Sequence, residues 1–246
     1  MKKYILVLIV FAFISNCQNQ NSNNLDKPLL LYYENKIPET IKILEQMIAE
    51  DDNNIEQIVW LAQSYMRLGD KDSAEKYAKI ALSAEPCNNF AHLVYANSIL
   101  PDYRDEVISH SDSSWHHYLQ AVECDSTDPN IWVAICGESI KRSEPEIYHK
   151  AIAKLFETGF LTKAALAYGR WMLRTLPPNA VLITNGDMDT YPAQAVQEVE
   201  NFRKDVSIVE RGLLDITWSI KFLRDFCRVP LNYSDSQINA MKKNRY

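Results

Sequence analysis

Glycine is scarce in this sequence, 6 among 246 residues, which argues against an all-β chain built on tight turns. There is no basic excess. Lys and Arg number 26 against 32 Asp and Glu, a net charge of −6, so the general electrostatic footprint for nucleic acid is missing and no nucleic-acid partner is expected. No Cys-x-x-Cys pair occurs, and scattered ligands make a zinc site improbable. Gly-x-Ser-x-Gly, the phosphate-cradling P-loop and His-Glu-x-x-His are all absent, so the chain reads as non-enzymatic and without a cofactor. What remains is ordinary globular composition, 47% hydrophobic, 11% aromatic and 24% charged, at a length that suits one or two domains. That excludes a disordered chain, a collagen-like fibre and a multi-span membrane protein.

The first residues read as an address. Met1-Lys2-Lys3 is a short positive start, and Tyr4 to Ile14 carries no charge. The run is too short to cross a bilayer, which takes about 20 apolar residues, but it suits the apolar core of a secretory signal. Ile14-Ser15-Asn16-Cys17 follows and resembles the lipobox of bacterial lipoproteins, in which the Cys is acylated and becomes the new N-terminus. Asn16 stands where that family has Gly, Ala or Ser. The resemblance implies lipidation of Cys17, export, and a body held by lipid to a bacterial membrane, facing the periplasm. The polar run from Gln18 to Asn24 reads as a tether. Four further cysteines, Cys87, Cys124, Cys136 and Cys227, are expected as buried free thiols inside helices, although export would allow oxidation and sequence alone cannot pair them.

The middle of the chain repeats. From Ile55, Ile58, Leu61, Ala62 and Tyr65 follow the 3–4 spacing of one helix face, Gly69-Asp70 breaks the pattern, and Ala74, Tyr77, Ala78, Ala81 and Leu82 form a second stripe that Pro86 ends. Ile55 to Asn88 spans 34 residues and resembles a tetratricopeptide repeat, with Ala62 and Ala78 as the departures at the paired glycine and the second-helix aromatic. Asn35 to Asn54 suits a turn and second helix, with Leu29 to Tyr33 as an abbreviated first helix. Asn89 to Leu100 opens another repeat, lengthened by an insertion over 101–112 and closed by Trp115 to Cys124. Asn130 to Arg142 begins a fourth unit, and Ile147 to Glu157 with Leu161 to Leu176 reads as one more helix pair turning at Gly159. Such units cannot bury their faces alone and must stack. Solenoids of this kind offer a groove lined by first helices. Here Val59, Gln63, Met66, Arg67, Leu93 and Asn97 are the candidate groove positions for an envelope protein or peptide partner, against the plain alternative of a solvated face.

The last third changes period. Ala180 to Thr184 is a short β-branched run, the signature of a buried strand. Asn185-Gly186-Asp187-Met188-Asp189 is a turn, with Asp189 or Thr190 able to cap a helix that tolerates Pro192 in its first turn. Val206 to Val209 reads as a second strand, and Asp215 or Thr217 as the cap of another helix. Strand, helix, strand, helix implies a small parallel α/β (βαβα) unit. The organisation expected is therefore mainly α: a signal over 1–16, lipidated Cys and tether over 17–27, a helical-hairpin solenoid over 28–177, the α/β unit over 178–228 and a tail over 229–246.

Pro178 to Leu182, Thr184 to Asp187, Asp189 to Pro192, Gln197 to Glu200, Arg203 and Asp205-Val206, continued by Leu213-Leu214 and Trp218, resemble a segment of a family of large polytopic membrane proteins, glycosyltransferase-like and largely of unknown function. Met188, Ala193-Gln194-Ala195 and Asn201 depart from that family's Asn, Leu-Trp-Tyr and Gly. The resemblance implies common ancestry for the soluble tail. It imports no transferase activity, because the transferase-like part of that family is its membrane domain.

Asn185, Asp187, Asp189 and Thr190 form a candidate polar loop. Ligands favour the C-terminal end of a parallel strand, and two carboxylates one residue apart can hold a hard cation through oxygen. A carbohydrate- or metal-binding module, or an enzyme accessory, using the Gly186-Asp187-Met188-Asp189-Thr190 loop is the alternative to a scaffold. The blander expectation is that Asp187 bonds the turn backbone while Asp189 caps the helix. His116 and His117 are neighbours on a helix and point apart, so a shared metal is not expected. His92 and His149 read as isolated packed or surface residues.

Overall fold

A computed structural model describes residues 25–100, 111–215 and 219–243. Cys17, its signal and most of its tether lie outside the described residues, as do positions 101–110 of the insertion and Thr217 and Trp218. The chain divides inside one helix into two compact units, up to Ile80 and from Ala81.

The first unit holds α1 (Asp26–Tyr33), α2 (Ile37–Glu50), α3 (Ile55–Leu68) and most of α4 (Lys71–Ala84). Asn54 caps α3 by accepting from the Gln57 amide at 3.2 Å, and Asp70 does the same for Ser73 at the start of α4 at 3.0 Å. Gly69 ends α3 in the left-handed region at φ 90°, a conformation glycine adopts without a Cβ clash. Leu25, Tyr32, Ile37, Ile41, Leu44 and Leu61 form the core of this unit. Each fully buried aliphatic side chain among them contributes about 1.5–3 kcal/mol. Tyr65 and Tyr77 stack with centroids 5.7 Å apart.

The second unit runs through α5 (Asn89–Ile99), α6 (Ser111–Cys124), α7 (Pro129–Arg142), α8 (Pro145–Glu157), α9 (Lys163–Arg174), β1 (Val181–Thr184), α10 (Asp187–Glu200), β2 (Ser207–Glu210), a 3-10 turn (Arg211–Asp215), α11 (Ser219–Asp225) and α12 (Asp235–Lys243). Asn88 and Asp128 cap α5 and α7, accepting from the Ala91 and Asn130 amides at 2.9 Å each. α5 packs on α6 and α7 on α8, giving helical hairpins. One pairing differs from expectation. α8 closes the hairpin opened by α7, while α9 packs on α10 with β1 between them in sequence. The reason lies in the Ser143-Glu144-Pro145 turn, where Ser143 takes the left-handed cap and Pro145 starts the next helix.

The cysteines also differ from expectation. Cys87 and Cys124 form a disulfide with Cα atoms 5.3 Å apart. Cys87 directly follows Pro86, past the end of one helix, and Cys124 closes another, so helix ends bring them together. Cys136 and Cys227 are free and buried.

β1 and β2 pair in parallel with Thr184 opposite Glu210, and α10 makes the crossover. After β2 the chain enters a 3-10 turn rather than a helix, and α11 starts only at Ser219. β1 is not buried on both faces as expected of its apolar run. Val181 and Ile183 are exposed, whereas Thr184 is buried. The described sheet has two strands, and α10 packs on it, which leaves alternate β1 side chains uncovered.

Candidate functional site

The loop from β1 into α10 is held by hydroxyls. Thr190 Oγ1 donates to the Gly186 carbonyl at 2.8 Å and lies 2.6 Å from Thr184 Oγ1. Gly186 is the N-cap and no side chain caps the helix. Asp187 and Asp189 both fall in the first turn of α10, where the helix dipole favours carboxylates. The expectation that Asp189 caps the helix is corrected, because the helix starts two residues earlier. Pro192 correspondingly sits in the second turn. Asn185 leaves the loop and accepts from Arg211 Nε at 2.9 Å.

Asp187 stands at the mouth of a cavity of about 320 Å³ wholly inside the second unit. α7 supplies Gly137, Glu138 and Lys141, α10 supplies Asp187, Tyr191 and Gln194, and β2 supplies Glu210. Tyr118, Tyr148 and Phe222 add ring surface from α6, α8 and α11. Glu138 is 6% exposed and its Oε2 has no hydrogen-bond partner. Burial holds the Glu138 carboxyl above the usual carboxylate range, opposed by the charges of Lys141 and Arg142. Packing around the inner side of Asp187 raises its carboxyl too, although the residue is open to solvent; the Tyr191 hydroxyl donates to it and opposes the rise. Burial likewise raises the hydroxyls of Tyr118, Tyr148 and Tyr191, so all three remain protonated donors. Tyr118 donates to Asn97 at 2.7 Å, and Tyr148 donates to Gln194.

Sequence reasoning placed Asp187 in the loop but missed the cavity. The signal lay in α7, where Glu138 follows the buried Ile135 and Cys136 on one stretch of helix. A carboxylate in that setting is costly unless something meets it. Among the described residues no three His, Cys, Asp or Glu side chains are placed to hold a metal ion.

The candidate groove positions separate. Val59 and Leu93 are buried and so face the packing, not a groove. Gln63 donates to the Tyr32 hydroxyl at 2.9 Å, and the Arg67 guanidinium lies 4.6 Å from the Tyr32 ring centre. Met66 is half-buried and Arg67 exposed. Asn97 lines the cavity of the second unit. A feature not foreseen is the outer side of α9, where Tyr168 and Trp171 stack 5.8 Å apart at 46% and 59% exposure, flanked by exposed Ala164 and Ala167.

Much of the shared C-terminal string holds the backbone. Arg203 donates to the carbonyls of Leu173 at 2.7 Å, Leu176 at 3.0 Å and Pro177 at 2.9 Å, and pairs with Asp205 at 2.8 Å. Asp205 accepts from the Asn179 amide at 3.0 Å, and Gln197 Nε2 donates to the carbonyls of Arg203 and Val206. This is the region that matches a known family. Residues 165–245 fit the profile described as "TMEM260-associated domain 2". No curated protein matches the chain in sequence. Two similar solved structures are the crystal structure of MamA, 16% identical with a TM-score of 0.45 over 74% of this chain and 97% of that one, and TTC0263, a thermophilic tetratricopeptide-repeat protein of Thermus thermophilus, 15% identical with a TM-score of 0.48 over 73% and 92%.

His92 is not isolated. Its Nδ1 lies 2.9 Å from Nδ1 of His117, and its Nε2 is 2.9 Å from the Pro86 carbonyl. Burial lowers both rings, His117 to about 4, with repulsion from His92 and His116 adding to it.

Proposed function

We propose that this protein is a non-catalytic interaction scaffold of the bacterial cell envelope, anchored through lipidated Cys17 and binding a protein or peptide partner. The observation that carries the reading is the Tyr168–Trp171 stack on α9, presented to solvent beside the exposed Ala164 and Ala167 of the preceding turn. Large rigid aromatics concentrate the energy of protein interfaces, and a Trp left this open has no packing role of its own. Met66 and Arg67 on α3 are a second partner surface, one apolar side chain beside one cationic one. The Cys87–Cys124 bond supports maturation in an oxidising compartment.

Crosslinking in intact cells followed by mass spectrometry tests the scaffold. Trp171→Ala with Tyr168→Ala is expected to lose partners that the parent chain captures, and Met66→Glu with Arg67→Glu to lose a subset. Recovery of the same partners by both variants overturns the reading. Metabolic labelling with a fatty acid tests the anchor: label is expected on the parent chain and absent from Cys17→Ser.

A further inference from the structure

We propose that the cavity of the second unit binds a small organic ammonium ion, seated against Glu138 and Asp187 among the tyrosine rings. The inference does not depend on the scaffold reading. Its first ground is Glu138, a cavity-lining residue more than nine-tenths buried whose carboxyl Oε2 has no donor. A buried acceptor left unmet is costly, and a charged donor returns the most on meeting it. The second ground is charge. The lining carries Glu138, Asp187 and Glu210 against Lys141, two negative charges in excess. Glu210 is already met by the amides of Gly212 at 2.9 Å and Leu213 at 3.1 Å, and Asp187, among the described residues, by the Tyr191 hydroxyl alone, which leaves the open Oε2 of Glu138 and the second oxygen of Asp187 for an occupant. The third ground is the wall. Tyrosine faces attract cations, more strongly where water is displaced. A neutral polyol would satisfy Glu138 as a donor but would leave the charge excess unanswered.

The cavity lies at the small end of the range for ligand pockets, which sets the size of the occupant. Benzylammonium and benzyl alcohol make a matched pair of probes, alike in shape and different in charge, and methyl glucoside serves as the neutral polyol. Calorimetric titration of the whole chain is expected to show saturable 1:1 binding of benzylammonium, at least about tenfold tighter than either neutral probe, the worth of one charge-assisted contact. Glu138→Gln is expected to abolish that preference. Gly137→Leu is the second variant, because Gly137 lines the cavity with open space where its side chain would grow and sits inside a helix that gains from losing a glycine. It should block every probe while the fold persists. Equal affinity for the matched pair, preference for the glucoside, no binding of any probe, or unchanged binding in Gly137→Leu would each overturn the proposal.

Discussion

The Arg203 guanidinium meets the Leu173 carbonyl at 2.7 Å, joining the turn after α10 to the end of α9, 30 residues back. The same group serves the carbonyls of Leu176 and Pro177 just beyond that helix and the Asp205 carboxylate, so one side chain satisfies a helix-end acceptor and two of the segment that follows it. Arg203→Lys is expected to lower the melting temperature nearly as far as Arg203→Ala, since a single ammonium cannot span the fork of contacts. Circular dichroism during heating decides it. Asp205 is held well below the usual carboxylate range, chiefly by its bond from Arg203. Its contribution is therefore present at neutral pH and lost as the pH falls through that depressed range.

Gly169 fits against α10 so closely that a Cβ would lie 2.8 Å from the carbonyl carbon and oxygen of Pro192. Those atoms are main chain and cannot swing aside. Gly169→Ala is expected to destabilise by about 1–3 kcal/mol, despite the better helix propensity of alanine. Urea titration should show a lower midpoint with an unchanged slope.

The cross-link between Cys87 and Cys124 spans 37 positions. On loop-closure grounds, replacing both by serine costs about 4 kcal/mol. Cys136 and Cys227 should behave differently from exposed thiols, because burial raises both, Cys227 to about 12. Neither is expected to react with iodoacetamide at pH 8 until the chain is unfolded. Urea titration of the double-serine variant checks the first statement, and peptide mapping after alkylation the second.

The His92–His117 pair sets an acid limit. Above the ordinary histidine value of 6.5 both states are neutral and the pair has no pH effect. Between 6.5 and about 4 the unfolded chain takes up protons that the folded His117 refuses, so stability falls as the pH falls. The loss should be smaller than the full shift implies, because the His117 ring is part-exposed and solvent screens it. A double change to asparagine should flatten the slope of stability in that window, and retention of the slope would assign it to other groups.

The helix end at Gly69 was legible in the sequence, because a glycine between two apolar stripes is a local stop signal, whereas the caps at Asn54 and Asn88 were not singled out. The strand before Asn185 and the one near Val206 were legible from a local run of β-branched residues. What could not be read depends on distant segments meeting. Cys87 finds Cys124, His92 finds His117, and Glu138 of α7 comes to line one space with Asp187 of α10. Glu138 alone carries a local signal, a carboxyl on an apolar stretch of helix; the meetings themselves carry none. The misassigned pairing of α8 came from weighting Gly159 over the Ser143–Pro145 turn, although the latter is a stop and a start in three residues.

The backbone approach at Gly169 leaves no room for a side chain where α9 meets α10. The spacing between the helix that presents Trp171 and the helix that starts at Asp187 is therefore set by main chain and not by rotamers, so repacking of side chains cannot alter it.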